Sequence, residues 1–267
     1  MSFSKFRRRY TFYFLGKQGT PDVLIILGGI GYGWIRQRGN ELSKWTGFFY
    51  LLFCFFGVIL TNDRGGVASF FILMIVLLSF DYKKLVIFLV LIGIGVYFTF
   101  YLDSLKGLQR HYKYIYDPGA IKRLISRSQI ATFRSAWGMI KDHWLMGVGT
   151  NNFSKFARDY GVGRWYAYAH NFVLQFWAEN GLFGMGFGLS IIGLVIYRWL
   201  KSWKKYRYKY MALGIGASFI GLLVSNLSNL TMYIIALALP FWLLAGIICS
   251  IYFTVKTDEE VKKSNIY

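Results

Sequence analysis

Acidic residues, histidines and cysteines are all scarce in this chain. Its 267 residues hold 12 Asp and Glu against 31 Lys and Arg, with three histidines and two cysteines. Cys54 and Cys249 both sit inside apolar runs, so they read as small apolar side chains and not as a disulfide or a metal pair. No Asp-x-Asp, no His-x-x-x-His and no Cys/His set at metal spacing occurs in the segments expected to face outward, so no metal and no cofactor is expected. A serine nucleophile elbow and a phosphate-binding P-loop are also missing, which removes the commonest hydrolase and nucleotide-dependent chemistries. Internal repeats and low-complexity segments are lacking, and no small-residue cleavage pattern follows the basic start MSFSKFRRRY.

Apolar residues are what the chain has in excess. They make up 55% of it, and the mean hydropathy of +0.40 is too high for a water-soluble partition of core and surface. The formal charge of +19 would suggest nucleic acid in a soluble protein. Here the bases lie between apolar runs, so membrane lipids with anionic head groups are the expected partner, and nucleic acid is not. A helix needs about 20 apolar residues to cross the hydrocarbon. Candidates are 22–35, 45–61, 66–80, 85–102, 182–200, 211–229 and 231–253. The expected fold is therefore an all-α integral membrane protein, one membrane domain over 1–267 with six or seven transmembrane helices. The first run is short, and its GGIGYGW end reads equally as a buried or re-entrant piece.

Basic residues in short loops set the orientation. Arg36, Arg38 and Lys44, then Lys83 and Lys84, then RWLKSWKKYRYKY, then Lys256, Lys262 and Lys263 all fall on one side of a zig-zag, the cytoplasmic one. The turn at Arg64, the loop 103–170 and the turn at Ser228–Leu230 then face outward. That loop carries eleven Lys and Arg against four Asp, but it is long enough to escape the rule for short loops. The same zig-zag puts Lys5, Arg7, Arg8 and Arg9 outside. Either 22–35 does not cross, or the chain is the C-terminal part of a protein with further helices upstream.

Within the loop, 127–144 taken as a helix puts Ile130, Phe133, Trp137, Ile140 and Trp144 on one face. Arg127, Arg134 and Lys141 recur every seven residues and form a stripe beside it. Such a helix either lies in the outer membrane interface or packs as a surface helix on the spans. Arg64, in TNDRGG, either snorkels to the interface or meets a ligand beside two glycines that permit close approach. Gly147 and Gly149, in GVGTNNF, suit a turn that exposes backbone N–H groups as an anion cradle. His170 precedes an apolar segment in which Asn171, Gln175 and Glu179 recur every fourth residue, a polar line along a helix entering the membrane. Intramembrane polar residues default to a functional reading, against which stands a histidine merely bonded to a neighbour at the interface.

The stretches TNDRGG, SRSQIATFRSAWGMIKDHWLMGVGTNNF and AHNFVLQFWAENGLFG, in this order from about 60 to 190, resemble the O-antigen ligase and O-antigen polymerase family. The resemblance implies a bacterial inner-membrane glycosyltransferase of the GT-C type, multi-pass and working without a metal. It would move a glycan from undecaprenyl diphosphate to an acceptor on the outer face of the cytoplasmic membrane, in lipopolysaccharide or capsule synthesis. The acceptor would be a glycan in a polymerase, or lipid A-core or a protein in a ligase, and the motifs are common to both. By the same resemblance His170 would be the base on the acceptor hydroxyl and Arg64 the diphosphate clamp. Arg127 would assist, favoured over Arg134 because Ser-Arg precedes the W-x-M-I-x-D-H element. Arg134, Lys141, Gly147, Gly149, Asn171 and Glu179 are the further substrate-contact candidates. The chain departs from the family at Asp63, where relatives have Ser, and at Trp144, where they have Pro. Members also have about ten or more spans, hence the expectation of missing upstream helices. The chemistry agrees: a diphosphate leaving group needs fixed cations, and a histidine suits a base near neutral pH. Against this stand a transporter or flippase for an anionic lipid or solute, which would need charges buried mid-span, and a structural subunit.

Overall fold

Gly39, at φ +77°, ends the first helix, and Asn40 starts the second by accepting the Ser43 N–H on its side-chain oxygen at 2.8 Å. A computed structural model describes residues 16–61, 63–79, 83–91, 127–162, 168–229, 231–233 and 235–264. Among these the elements are α1 (Gly16–Arg36), α2 (Glu41–Leu60), α3 (Arg64–Leu78), α4 (Arg127–Asp142), α5 (Phe153–Phe156), α6 (Phe172–Ser202), α7 (Lys209–Ser225), a 3-10 turn (Thr231–Tyr233) and α8 (Ile235–Ser264). Residues 83–91 are also helical, and no strand occurs among the described residues. The chain forms two compact units, Met1–Leu77 with Met185–Tyr267, and Leu78–Gly184.

In the first unit α1 packs against α2 and, most extensively, against α7. The glycine-rich stretch that looked ambiguous is continuous helix. Gly29 and Gly33 lie one turn apart and meet Gly214, Ser218 and the Tyr210 carbonyl so closely that a Cβ at any of the three glycines would overlap its neighbour. Small residues at this spacing let two helix backbones approach, the usual way membrane helices associate. Helix α7 is consequently buried along almost its whole length, from Ala212 through Phe219 and on to Leu222 and Ser225.

The other helices turn apolar faces outward. On α2 the buried residues Phe48, Leu51, Cys54 and Val58 are matched by the exposed Leu42, Trp45, Phe49, Phe53, Phe56 and Leu60. Phe53 on α2 is 75% exposed and Ile235 on α8 78%. Surfaces of this kind would aggregate in water and are at home in hydrocarbon. Three described helices, α2, α6 and α8, are long and apolar enough to cross a membrane, and α3 and α7 are shorter apolar helices. This is a membrane protein. Of the seven runs expected to span, 85–102 falls largely outside the described residues, as does 103–126 of the expected outer loop.

In the second unit α4 packs through Thr132, Ser135, Ala136, Met139 and Ile140, all buried. Ala136, Met139 and Ile140 share a core with Phe153, Ala157, Val162, Ala169 and Ala178. The face expected from the large apolar residues is therefore only partly the packed one. Trp137 and Trp144 are about half exposed, at 48% and 54%. Small residues fill much of that interior beside Met139 and Ile140, while Trp137 meets Trp177 of α6 edge-on at 6.3 Å and Trp144 stays exposed.

Candidate active site

The second unit is held together by a break in α6. Gly181, at φ +64° and ψ −170°, interrupts the helix and releases the carbonyls before it. The Ala178 and Glu179 carbonyls accept the Val148 and Gly149 N–H groups at 2.9 and 2.8 Å, while Leu182 N–H donates back to the Trp144 carbonyl at 2.8 Å. Gly147 (φ +71°) abuts the Glu179 backbone and Gly181 abuts that of Leu145, so neither position has room for a Cβ. The Gly147 N–H donates to the His143 carbonyl at 2.8 Å. The two glycines expected to cradle an anion thus have their N–H groups engaged inside the protein, and their role here is to dock the loop on α6.

Glu179 completes that docking. It is 1% exposed, and its Oε1 accepts from the Phe153 N–H and from Gln175 Nε2, both at 3.2 Å. Gln175, wholly buried, in turn accepts the Ala169 N–H on its Oε1 at 2.9 Å. One polar chain therefore runs from the start of α5 through Glu179 and Gln175 to the residue before His170. Replacing Glu179 by Gln keeps an oxygen for both donors, whereas Glu179→Leu strands the Phe153 N–H and the Gln175 amide. Each stranded buried group costs about 1–3 kcal/mol. Thermal unfolding should accordingly show Glu179→Leu well below the wild type and Glu179→Gln close to it. Equal loss in both would mean that the carboxylate charge, not the acceptor, is what matters.

His170 sits where this chain ends. Its φ of +53° puts a residue with a Cβ in the left-handed region, a conformation costing on the order of 1–3 kcal/mol. The neighbours on both sides hold it there. Ala169 is fixed by Gln175, and Thr132 Oγ1 on α4 lies 3.5 Å from the Ala169 carbonyl. Asn171 caps α6, its Oδ1 accepting the Leu174 N–H at 3.0 Å. The imidazole is half-buried, and burial lowers its pKa below the ordinary value, so the neutral form that can accept a proton prevails at neutral pH.

The basic stripe lies elsewhere on α4. Arg134 and Lys141 are exposed, about half a helical turn round from Thr132, Ser135, Ala136 and Met139. Arg127 is the first residue of α4, and its side chain is outside the described residues.

In the first unit, Arg64 is the exposed first residue of α3. Asp63, 8% exposed, turns inward, and its Oδ2 accepts from Asn229 Nδ2 at 3.2 Å. Gly65 and Gly66 press against Ser228 and Pro21, so it is protein that fills the space the glycines open. Nearby, Ser225 Oγ donates to the buried Asp22 at 2.6 Å. The turn carrying Arg64 is thus tied to the C-terminal end of α7, with Asp63 as the tether.

A family model described as O-antigen ligase matches residues 49–189, more than half of the chain. The chain belongs to the O-antigen ligase family. No curated protein matches it. Membership brings a role in glycan transfer at the membrane and an activity of the glycosyltransferase type. The part matched to the O-antigen ligase family takes in the Arg64 turn, all of α4, the 144–153 loop, His170 and the Gly181 break, and it ends inside α6. Sequence reasoning placed Gln175 and Glu179 on one polar line but missed what they bond to, and it missed Gly181, whose Asn-Gly pair inside an apolar run is a breaker signal.

Proposed function

We propose that this chain transfers a glycan from undecaprenyl diphosphate to an acceptor hydroxyl at the outer face of the bacterial cytoplasmic membrane, without a metal. The observation that carries the reading is His170, held in a strained backbone conformation by its neighbours, half-buried and neutral, within the matched part of the chain. His170 takes the acceptor proton as the oxygen attacks the sugar carbon. The bond from that carbon to the diphosphate oxygen breaks, and the lipid diphosphate leaves with the electron pair. Arg64 stabilises that leaving charge, and a second arginine, Arg127 ahead of Arg134, assists. A leaving group with its charge spread over phosphate oxygens is served by guanidinium groups, so no divalent ion is needed. The acceptor is a glycan chain, lipid A-core or a protein, and the same residues serve polymerase and ligase alike.

The test is transfer by the purified chain with undecaprenyl-diphosphate-linked oligosaccharide as donor, assayed with and without EDTA. Activity should survive chelation. Loss on EDTA with recovery on magnesium or manganese would sink the metal-free mechanism, and no transfer to any of the three acceptors would sink the donor assignment.

A further inference from the structure

Far along α1 from the Arg64 turn, the first unit holds a buried cation that the transfer chemistry does not use. Arg36, the last residue of α1, is 6% exposed, and its Nε and Nη1 meet no acceptor among the described residues. Its guanidinium carbon lies 4.6 Å from the centre of the Tyr210 ring at the start of α7. The ammonium of Lys209 lies 5.3 Å from the centre of the same ring. Two cations therefore converge on one tyrosine. An aromatic face offsets part of the cost of one buried cation, but it does nothing for the repulsion between two.

Among the described residues no acid pairs with Arg36 or Lys209. Glu41 pairs with Lys44, Glu259 with Lys205 at 2.7 Å, and Glu260 with Lys256 at 3.7 Å. Beside Arg36, Gln37 donates through Nε2 to the Arg207 carbonyl at 3.5 Å, while its Oε1 is buried with no donor among the described residues. The junction thus offers cationic donors and one neutral acceptor. Trp34, two residues earlier on α1, is 65% exposed, as expected of an indole at a membrane interface.

We infer that the junction of Arg36, Gln37, Lys209 and Tyr210 is a binding site for the head group of an anionic glycerophospholipid. The phosphate supplies oxygens to Arg36 and Lys209, a head-group hydroxyl donates to Gln37 Oε1, and the acyl chains lie along the apolar helix faces. A phosphate carried by a lipid is favoured over a free ion because Trp34, one turn before Gln37 and on the same side of the chain, puts exposed apolar surface next to the Gln37 end of the junction. The inference is independent of the transfer mechanism, and its readout is binding, not turnover.

Native mass spectrometry of the full chain released from detergent, titrated with phosphatidylglycerol, tests it. Wild type and a Lys205→Gln control should retain the lipid, with phosphatidylethanolamine bound more weakly and inorganic phosphate unable to displace it. Arg36→Gln and Lys209→Gln should each weaken phosphatidylglycerol by about tenfold or more, the usual worth of one charge-assisted hydrogen bond. Lys209 is exposed, so its variant reports even if loss of Arg36 disturbs folding. Unchanged affinity in Lys209→Gln, equal binding of phosphatidylethanolamine, or displacement by inorganic phosphate would each overturn the assignment.

Discussion

His170→Ala should lower turnover by about 10²–10⁴-fold while leaving binding of the lipid-linked donor nearly intact, because general-base catalysis has this magnitude and the histidine acts on the acceptor. The direction of its pKa adds a second readout. Burial disfavours the imidazolium, so the folded pKa lies below the ordinary value near 6.5. The base form then persists into mildly acidic solution. kcat/KM should be flat through neutrality and fall only as pH drops through that lowered pKa, where protonation removes the base. An acid limb centred above neutrality would contradict this assignment. The competing base is Glu179, whose 1% exposure and two accepted hydrogen bonds fit a docking role. If His170→Ala keeps near-normal turnover while Glu179→Gln is inactive and still folded, the base is Glu179.

Arg64→Ala should weaken donor binding and turnover together, by about tenfold or more in each, because a charge-assisted bond to phosphate is lost in both ground and transition states. Arg64→Lys should recover only part of this, since an ammonium keeps the charge but not the planar two-pronged fork. Asp63 provides the internal comparison. Its carboxylate is turned to Asn229 and not out toward the solvent side that Arg64 occupies. Asp63→Ala, which removes the acceptor, should therefore keep donor affinity, measured with the lipid-linked oligosaccharide, and lower thermal stability instead. Donor affinity lost equally in Asp63→Ala and Arg64→Ala would show that the turn acts as a unit and that Arg64 has no separate contact with the diphosphate.

The 144–153 loop departs most from its local pattern where backbone does the work. Gly147 and Gly149 suggested an anion cradle from sequence, since glycines before a polar turn commonly expose N–H groups. In the folded unit the Gly149 N–H meets the Glu179 carbonyl, a residue 30 positions away, that the Gly181 break has set free. No local pattern contains that partner. A carboxylate at a membrane entrance is costly, and for Glu179 part of that cost is offset by the Phe153 N–H and Gln175, partners that the polar line along the helix does not reveal in full.

Hydropathy and charge alone determined that the chain is helical and lives in a membrane, because a span needs only length and apolar content, both local properties. The order of TNDRGG, the D-H…G-V-G element and His-Asn was likewise enough to point to the family, as the order and spacing of motifs are read from the chain itself. What tertiary structure decided is which face of each element is used. Helix α4 buries Thr132, Ser135, Ala136 and Met139 and leaves Trp137 half exposed, because its inner face is set by a core shared with Phe153, Ala169 and Ala178, residues that no local periodicity contains. Gly29 and Gly33 of α1 serve α7, Gly28 and Gly31 serve Phe70 and Tyr50, and the glycines after Arg64 serve Ser228 and Pro21, because a missing Cβ takes its meaning from whatever packs against it. His170 became more than a polar residue at a helix start only once Gln175, Asn171 and Thr132 were seen to fix its neighbours around a left-handed backbone, a constraint made by residues up to 38 positions away.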